Sequence, residues 1–391
     1  MRVFPYSGSS ELPQPDAAAR EHGERVASRI RADIERSGGW ISFARYMELA
    51  LYSPGLGYYV AGAAKLGEPG DFITAPELSP LFGATLASQV GEILSQTGGM
   101  VMELGAGSGR LAADLLAALQ EHGRLPGRYL ILEISPDLAR RQRETLEKRV
   151  PDLLDRVEWI DALPQVFSGV ILANEVLDAL PIHLLAWRQE GVWERGVSLE
   201  QGAFAWSERR LQRGALRDAA SAIAVQAPYL SEVSLAVPAL AGALAACLKH
   251  GALLFIDYGF GRGEYYHPQR VQGTLMCHYR HRAHGDPFFL PGLQDITAHV
   301  DFTAVAEAGL GAGLKLLGYT TQAQFLVNAG IIRLLEQISP ERPGTYLPAV
   351  AAVQKLLSPA EMGELFKVMA LGRGVKIAPT GFAEGDKSRL L

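Results

Sequence analysis

Glu103 stands two residues ahead of Gly105, and Gly107 and Gly109 follow at alternate positions, in the run ELGAGSGRLAADLL. The apolar stretch GGMVM precedes it and an alternating Leu/Ala pattern follows it, so the segment reads as a buried strand, a glycine turn and a helix. Small residues let a ligand approach the backbone, and the helix N-terminus offers free N–H groups. A carboxylate at the mouth of the turn repels a phosphate and attracts an amine-bearing ligand. A dinucleotide fingerprint would need glycine where Arg110 stands.

A second acid lies in YLILEIS (129–135), which places Glu133 near the end of the next β-rich run. Roughly 20 to 30 residues past a glycine turn is where an acid holds a ribose diol. The plainer alternative is that Glu133 caps the following helix, as Ser135 or Asp137 would. With Arg110 after the last glycine and Glu103 upstream, the turn fits the E-x-G-x-G-x-G pattern of class I methyltransferases, with S-adenosylmethionine as the ligand, and Glu133 strengthens that reading. Three further apolar runs also end on polar residues: Asp161 after VEWI, Asn174 and Glu175 after VILA, and Asp257 after LLFI. Ligands of open parallel sheets sit at such strand ends. Asp161 is suited to accept from an adenine amino group, with a simple loop acid as the alternative. In ANEVLDALP, Glu175 and Asp178 lie three apart and share a face if a helical turn forms. Two carboxylates there would grip a guanidinium and aim one nitrogen at the methyl group. Methyl transfer asks chiefly for alignment and a desolvated nucleophile. The bland reading is two acids complementing a helix dipole.

The elements that must position these residues alternate as α/β. Amphipathic helices are expected over 16–37 and 40–52, the second closed by the SPGLGYY turn, and another runs to about Ser95. Strands at 100–104, 129–134, 157–160, 170–173 and a fifth ending at Asp257 predict a parallel, doubly wound sheet. Between them, residues 183–232 alternate and are broken by EG and QG turns, which predicts an inserted antiparallel meander. The expected division is a helical N-terminal region with a lid segment (1–98), a first core part (99–182), the meander (183–232), and a second core part with α/β additions (233–391).

Of 391 residues, 48% are hydrophobic and 20% charged, as in an ordinary globular protein. The net charge of −5 gives no basis for wrapping nucleic acid. Two cysteines, Cys247 and Cys277, make neither a disulfide framework nor a zinc site. The first residues lack an apolar targeting core, and no apolar stretch is long enough to enter a bilayer, so a cytoplasmic location is expected.

Two other segments are singled out. GDFITAPELSPLFG (70–83) lacks regular periodicity, and Thr74 and Glu77 within it read as cofactor-side residues of a lid. A surface loop capping the next helix is the alternative. The stretch 273–301 gathers His278, Arg280, His281, His284, His299 and Asp301 with few apolar anchors. It is expected to lie over the C-terminal rim of the sheet near Asn174 and Glu175, and to hold no metal. The run ARRQRETLEKR (139–149) reads as a solvated helix face.

These motifs, with ANEVLDALPIH, LLFIDYGF and GTLMCHYRHRAHGDPFFLPGLQDITAHVDFTAVAEAG, make the chain resemble the MidA-like family of S-adenosylmethionine-dependent methyltransferases. One departure is Ala106, where the family pattern commonly has proline. The resemblance implies a class I fold with added helices and an arginine side chain of a protein as acceptor. The family includes a mitochondrial arginine methyltransferase that assists respiratory complex I assembly, so a complex I-type subunit is an expected partner and a homodimer is compatible. A small-molecule methyltransferase, or an assembly chaperone that keeps the fold without turnover, are the competing readings.

Overall fold

The computed structural model describes residues 12–61 and 74–391. The chain divides into two compact units: Met1–Phe72 with Asp178–Val237 and Gly263–His299, and Ile73–Leu177 with Pro238–Arg262 and Val300–Leu391.

The second unit is built on one sheet. Its main strands are β1 (Met100–Leu104), β2 (Tyr129–Leu132), β3 (Val157–Ile160), β4 (Phe167–Asn174), β5 (Leu248–Phe260), β6 (Lys315–Thr321) and β7 (Phe366–Arg373), and the short strand Val300–Asp301 pairs with the end of β5. They lie in the order β3-β2-β1-β4-β5-β7-β6. The first five are parallel, and β7 runs antiparallel to both its neighbours. The five strands read from the sequence are thus parallel, and β7 makes the whole sheet a mixed one. The C-terminal α/β additions include β6 and β7, which extend the sheet itself. The run FKVMALG of β7 has the near-continuous burial of a strand covered on both faces, while in the edge strand β6 burial is confined to Gly318–Thr321.

Four helices matter for the site: α1 (Ala75–Leu78), α2 (Pro80–Thr97), α3 (Arg110–Glu121) and α4 (Pro136–Arg149). Phe82, Leu86 and Val90 of α2 share one core cluster with Leu115 and Leu119 of α3 and with Val101, Val170 and Leu254 of the sheet. The chain winds outward from β1 in one direction through β2 and β3, then returns to β4 on its other side. A ligand crevice belongs at that reversal, at the carboxyl ends of β1 and β4.

The first unit carries helices Ala17–Arg36 and Phe43–Tyr52, started by Asp16 and Ser42, whose side chains accept from Ala19 N and Arg45 N. The meander is present as antiparallel strands His183–Arg188, Gly191–Glu200, Ala203–Arg210 and Tyr229–Val233. Ile41 and Ser42 pair with Val197 and Gly196, so the N-terminal chain supplies a strand to the inserted sheet. Met276–Tyr279, Arg282–His284 and Asp295–Thr297 form a three-stranded sheet in the same unit. Val26, Ile30, Phe43 and Tyr46 share one core with Leu184, Val197, Cys277 and Ile296. This shared core corrects the expected boundaries. Residues 1–98 split between the units, and the meander and most of 273–301 join the N-terminal helices. Among the described residues, no helix is long and apolar enough to cross a membrane.

Candidate active site

The glycine turn links β1 to α3. Gly105, Gly107 and Gly109 take φ of +59°, +53° and +81°, the left-handed region that favours glycine. At Gly109 a Cβ would also meet the Gln142 Cα at 2.9 Å, so the turn presses against α4 there. Gly107 faces open space, with nothing within 4 Å of where a Cβ would stand. The turn thus presents bare backbone to a ligand. Arg110, the residue that excludes a dinucleotide fingerprint, opens α3 and bonds Asp114 at 3.2 Å.

Glu103 lies on β1 and is 2% exposed. Its Oε2 accepts from the Tyr129 hydroxyl at 2.6 Å. Burial pushes the carboxyl up to about 7, and the tyrosine hydroxyl pulls it part of the way back. Glu133 follows β2 and is half-buried. Its Oε1 accepts from Ser135 N at 2.8 Å and its Oε2 from Gln142 Nε2 at 2.8 Å. Ser135 caps α4 through its own hydroxyl, which accepts from Leu138 N. Glu133 is therefore not the helix cap. Each of its oxygens keeps a lone-pair direction beyond its protein donor, as a ribose diol requires. Glu133→Ala is expected to weaken S-adenosylhomocysteine binding by about tenfold or more, the scale of lost hydrogen bonds to a charged group. Calorimetric titration measures this, and unchanged affinity would remove Glu133 from the site. Asp161 follows β3 and is exposed.

Asn174 ends β4. Its Nδ2 donates to Glu175 Oε1 at 3.2 Å, while its Oδ1 is buried and accepts no hydrogen bond from the described residues. Glu175 adopts φ +54°, a left-handed conformation in a non-glycine residue, which the surroundings must impose. They do so from two sides. Glu175 N donates to Ile256 O at 2.9 Å, and the buried Asp257 accepts from Val176 N at 3.2 Å and Leu177 N at 2.9 Å. No helical turn forms after Asn174, so Glu175 and Asp178 do not share a helix face. Asp257 is also corrected: β5 continues to Phe260, because Gly259 and Phe260 pair with Val300 and Asp301. It is an inward carboxylate that fixes the chain beyond β4, not a strand-end residue.

The lid reading rests partly on 70–73, which lie outside the described residues. Thr74 precedes α1 without a side-chain cap bond. Glu77, exposed on α1, accepts from the Ser108 hydroxyl of the glycine turn and approaches Arg110 at 4.0 Å. Glu175 Oε1 accepts from Ala75 N at 3.3 Å. Within this unit, α1 thus touches both the turn and the end of β4.

Asp178 falls in the other unit. It is 4% exposed, and its carbonyl accepts from Ala298 N at 3.1 Å. Nearby, the Tyr52 hydroxyl donates to Ala179 O at 3.0 Å and the Tyr59 hydroxyl to Asp295 Oδ1 at 2.7 Å. The 273–301 segment is better anchored than its composition predicts, since Cys277, Tyr279, Ile296 and Ala298 are buried. Burial, with His284 beside it, pushes His278 down to about 4. Asp301 takes the bland role, capping a helix by accepting from Thr303 N and Ala304 N. Among the described residues, no group of three His, Cys, Asp or Glu side chains could hold a metal ion. Gln142, buried in the run 139–149 that reads as solvated, was missed.

The residues present fit a nucleoside-bearing, amine-bearing ligand: a bare glycine turn, two carboxylates at the ends of β1 and β2, and the orphaned acceptor of Asn174. In strand order and site the molecule has the build of a class I methyltransferase. A family model of S-adenosyl-L-methionine-dependent methyltransferases matches residues 85–320. A Burkholderia thailandensis protein solved with bound S-adenosyl-homocysteine is 52% identical, with TM-score 0.94 over 97% of this chain and 100% of that one. The mitochondrial protein arginine methyltransferase NDUFAF7 of Danio rerio is 30% identical over 91% of this chain and 87% of its own length. Its Homo sapiens counterpart is 30% identical over 86% and 81%. The chain belongs to the MidA-like family of S-adenosylmethionine-dependent methyltransferases, and its cofactor is S-adenosylmethionine.

Proposed function

We propose that the chain methylates an arginine side chain of a protein. The observation that carries this reading is the pair of acceptors at the end of β4. The Asn174 Oδ1 is buried without a donor among the described residues, and the Glu175 carboxylate is held beside it on a left-handed backbone. A guanidinium offers only donors, in a planar fork that a carboxylate matches. S-adenosylmethionine supplies the electrophilic methyl group and leaves as S-adenosylhomocysteine, while the nitrogen that takes the methyl gives up one proton to water. Glu175 would hold two guanidinium N–H groups and Asn174 a third, leaving one nitrogen turned toward the methyl carbon. The names of the mitochondrial relatives support an arginine acceptor. We take a respiratory-complex subunit as the first candidate substrate. Mass spectrometry of methylarginine in cells with and without the gene tests this. The expected result is loss of the modification from one or a few proteins, restored by the wild-type gene. An unchanged methylarginine profile would overturn the arginine assignment.

A further inference from the structure

Gln142 is charge-neutral, fully buried, and surrounded by charged neighbours in the α4 sequence PDLARRQRETLEKR. Leu146, one turn later, is the other buried residue of that helix, so the two mark its inward stripe. The Gln142 amide touches three separate parts of the unit. Its Nε2 donates to Gly107 O at 3.1 Å and to Glu133 Oε2 at 2.8 Å. Its Oε1 accepts from Trp159 Nε1 on β3 at 3.0 Å. Chemistry fixes which way the amide points. An indole N–H only donates, so the amide oxygen must face Trp159, and both amide hydrogens are left for the carbonyl and the carboxylate. The Trp159 ring is held in turn by the Arg143 guanidinium, 4.1 Å from its centroid.

We infer that Gln142 is the positioning residue of the nucleoside half of the cofactor site, setting the Glu133 carboxylate and the Gly107 carbonyl in register through one amide. The inference rests on the ribose role of Glu133. The glycine turn follows β1, Glu133 follows β2 and Trp159 lies on β3, so three successive strands are tied at one point. Any rotation of the Glu133 carboxylate breaks a bond to a fully buried donor. Gly109 closes the arrangement, since only a glycine there lets the turn approach Gln142 this closely.

The test is a double-mutant cycle read by calorimetric titration of the full chain with S-adenosylhomocysteine. Gln142→Met keeps the volume and removes every hydrogen bond. It is expected to weaken binding by about tenfold or more in the wild-type background, and by less than about threefold in a Glu133→Ala background. A purely structural glutamine would lower the melting temperature of the unliganded protein equally in both backgrounds and leave the stabilisation by S-adenosylhomocysteine intact. Losses that multiply across the cycle, or wild-type affinity of Gln142→Met, would overturn the inference while the ribose role of Glu133 stands. Wild-type affinity of Glu133→Ala alone would overturn the ribose role and the inference with it. If Gln142→Met does not fold, Gln142→Asn carries the same cycle, because it keeps a buried amide one methylene short of its three partners. The same pattern of losses is expected of it, and the same results overturn the inference.

Discussion

Glu175→Gln is expected to lower methyl transfer to the protein acceptor by about a hundredfold or more, the scale of positioning losses in enzymes, while S-adenosylhomocysteine affinity stays within about twofold. Glutamine suits this test because of what Glu175 already does. Its Oε1 accepts from Ala75 N and from Asn174 Nδ2, and an amide oxygen can take over both bonds. Its backbone sits at φ +54°, which glutamine tolerates no better and no worse than glutamate. The fold and the anchoring of α1 are therefore retained, and the lost quantity is the charge that would pair with a guanidinium under the proposed function. Turnover is measured on the substrate that the methylarginine comparison identifies. Equal losses of cofactor binding and turnover would assign Glu175 to the cofactor. Unchanged turnover would remove it from the site.

Much of this site was legible because its chemistry is local. An acid, three alternating glycines and a Leu/Ala helix state a strand, a turn and a ligand cradle within fourteen residues, 103–116. The strand-end placement of Glu133 and Asn174 was legible for the same reason, each standing at the end of a β-rich run. Features that depend on distant partners were not. Asp257 reads as a strand end only until Val300 and Asp301 are known to extend the strand past it. Gln142 is hidden by its neighbours: four arginines and a lysine within 140–149 dominate the pattern, and a single neutral polar residue leaves no periodic mark. The left-handed backbone of Glu175 is imposed by Asp257 and Ile256, some eighty residues away in sequence. The same holds for the division into units. Ile41 pairs with Val197 across the inserted chain, and that long-range register, with the core shared by Val26, Phe43 and Leu184, shows the N-terminal helices and the meander to belong together. In 273–301, Cys277 and Tyr279 alternate as buried residues of a short strand, but five basic or histidine side chains within 278–284 mask the alternation.

The second large effect concerns Glu103 and pH. Its carboxyl is raised from its ordinary 4.5 to about 7, first by burial, with the Tyr129 hydroxyl acting in the opposite sense. An acid raised in the folded state binds more protons there than in the unfolded chain at pH values between those two. The unliganded fold therefore loses stability as pH rises through that window, and the loss is complete above about 7. For this one fully buried group the total is about 3 kcal/mol. Glu103→Gln carries a permanently neutral side chain, so the stability difference between wild type and variant should change by about that amount between pH 5 and 8, with wild type relatively most stable at the acid end. If Glu103 holds the cationic amino group of S-adenosylhomocysteine, the ligand reverses the preference: binding below pH 7 should release a proton, and affinity should climb with pH by up to about tenfold per unit before levelling off. Titrations at pH 6 in two buffers of different ionisation enthalpy count that proton directly. Tyr129→Phe removes a donor that lowers the carboxyl, and should move the midpoint upward. Binding without proton release, together with parallel pH–stability curves for wild type and Glu103→Gln, would show that Glu103 is ionised in both states and that Tyr129 and the strand do not hold it neutral in waiting for the ligand.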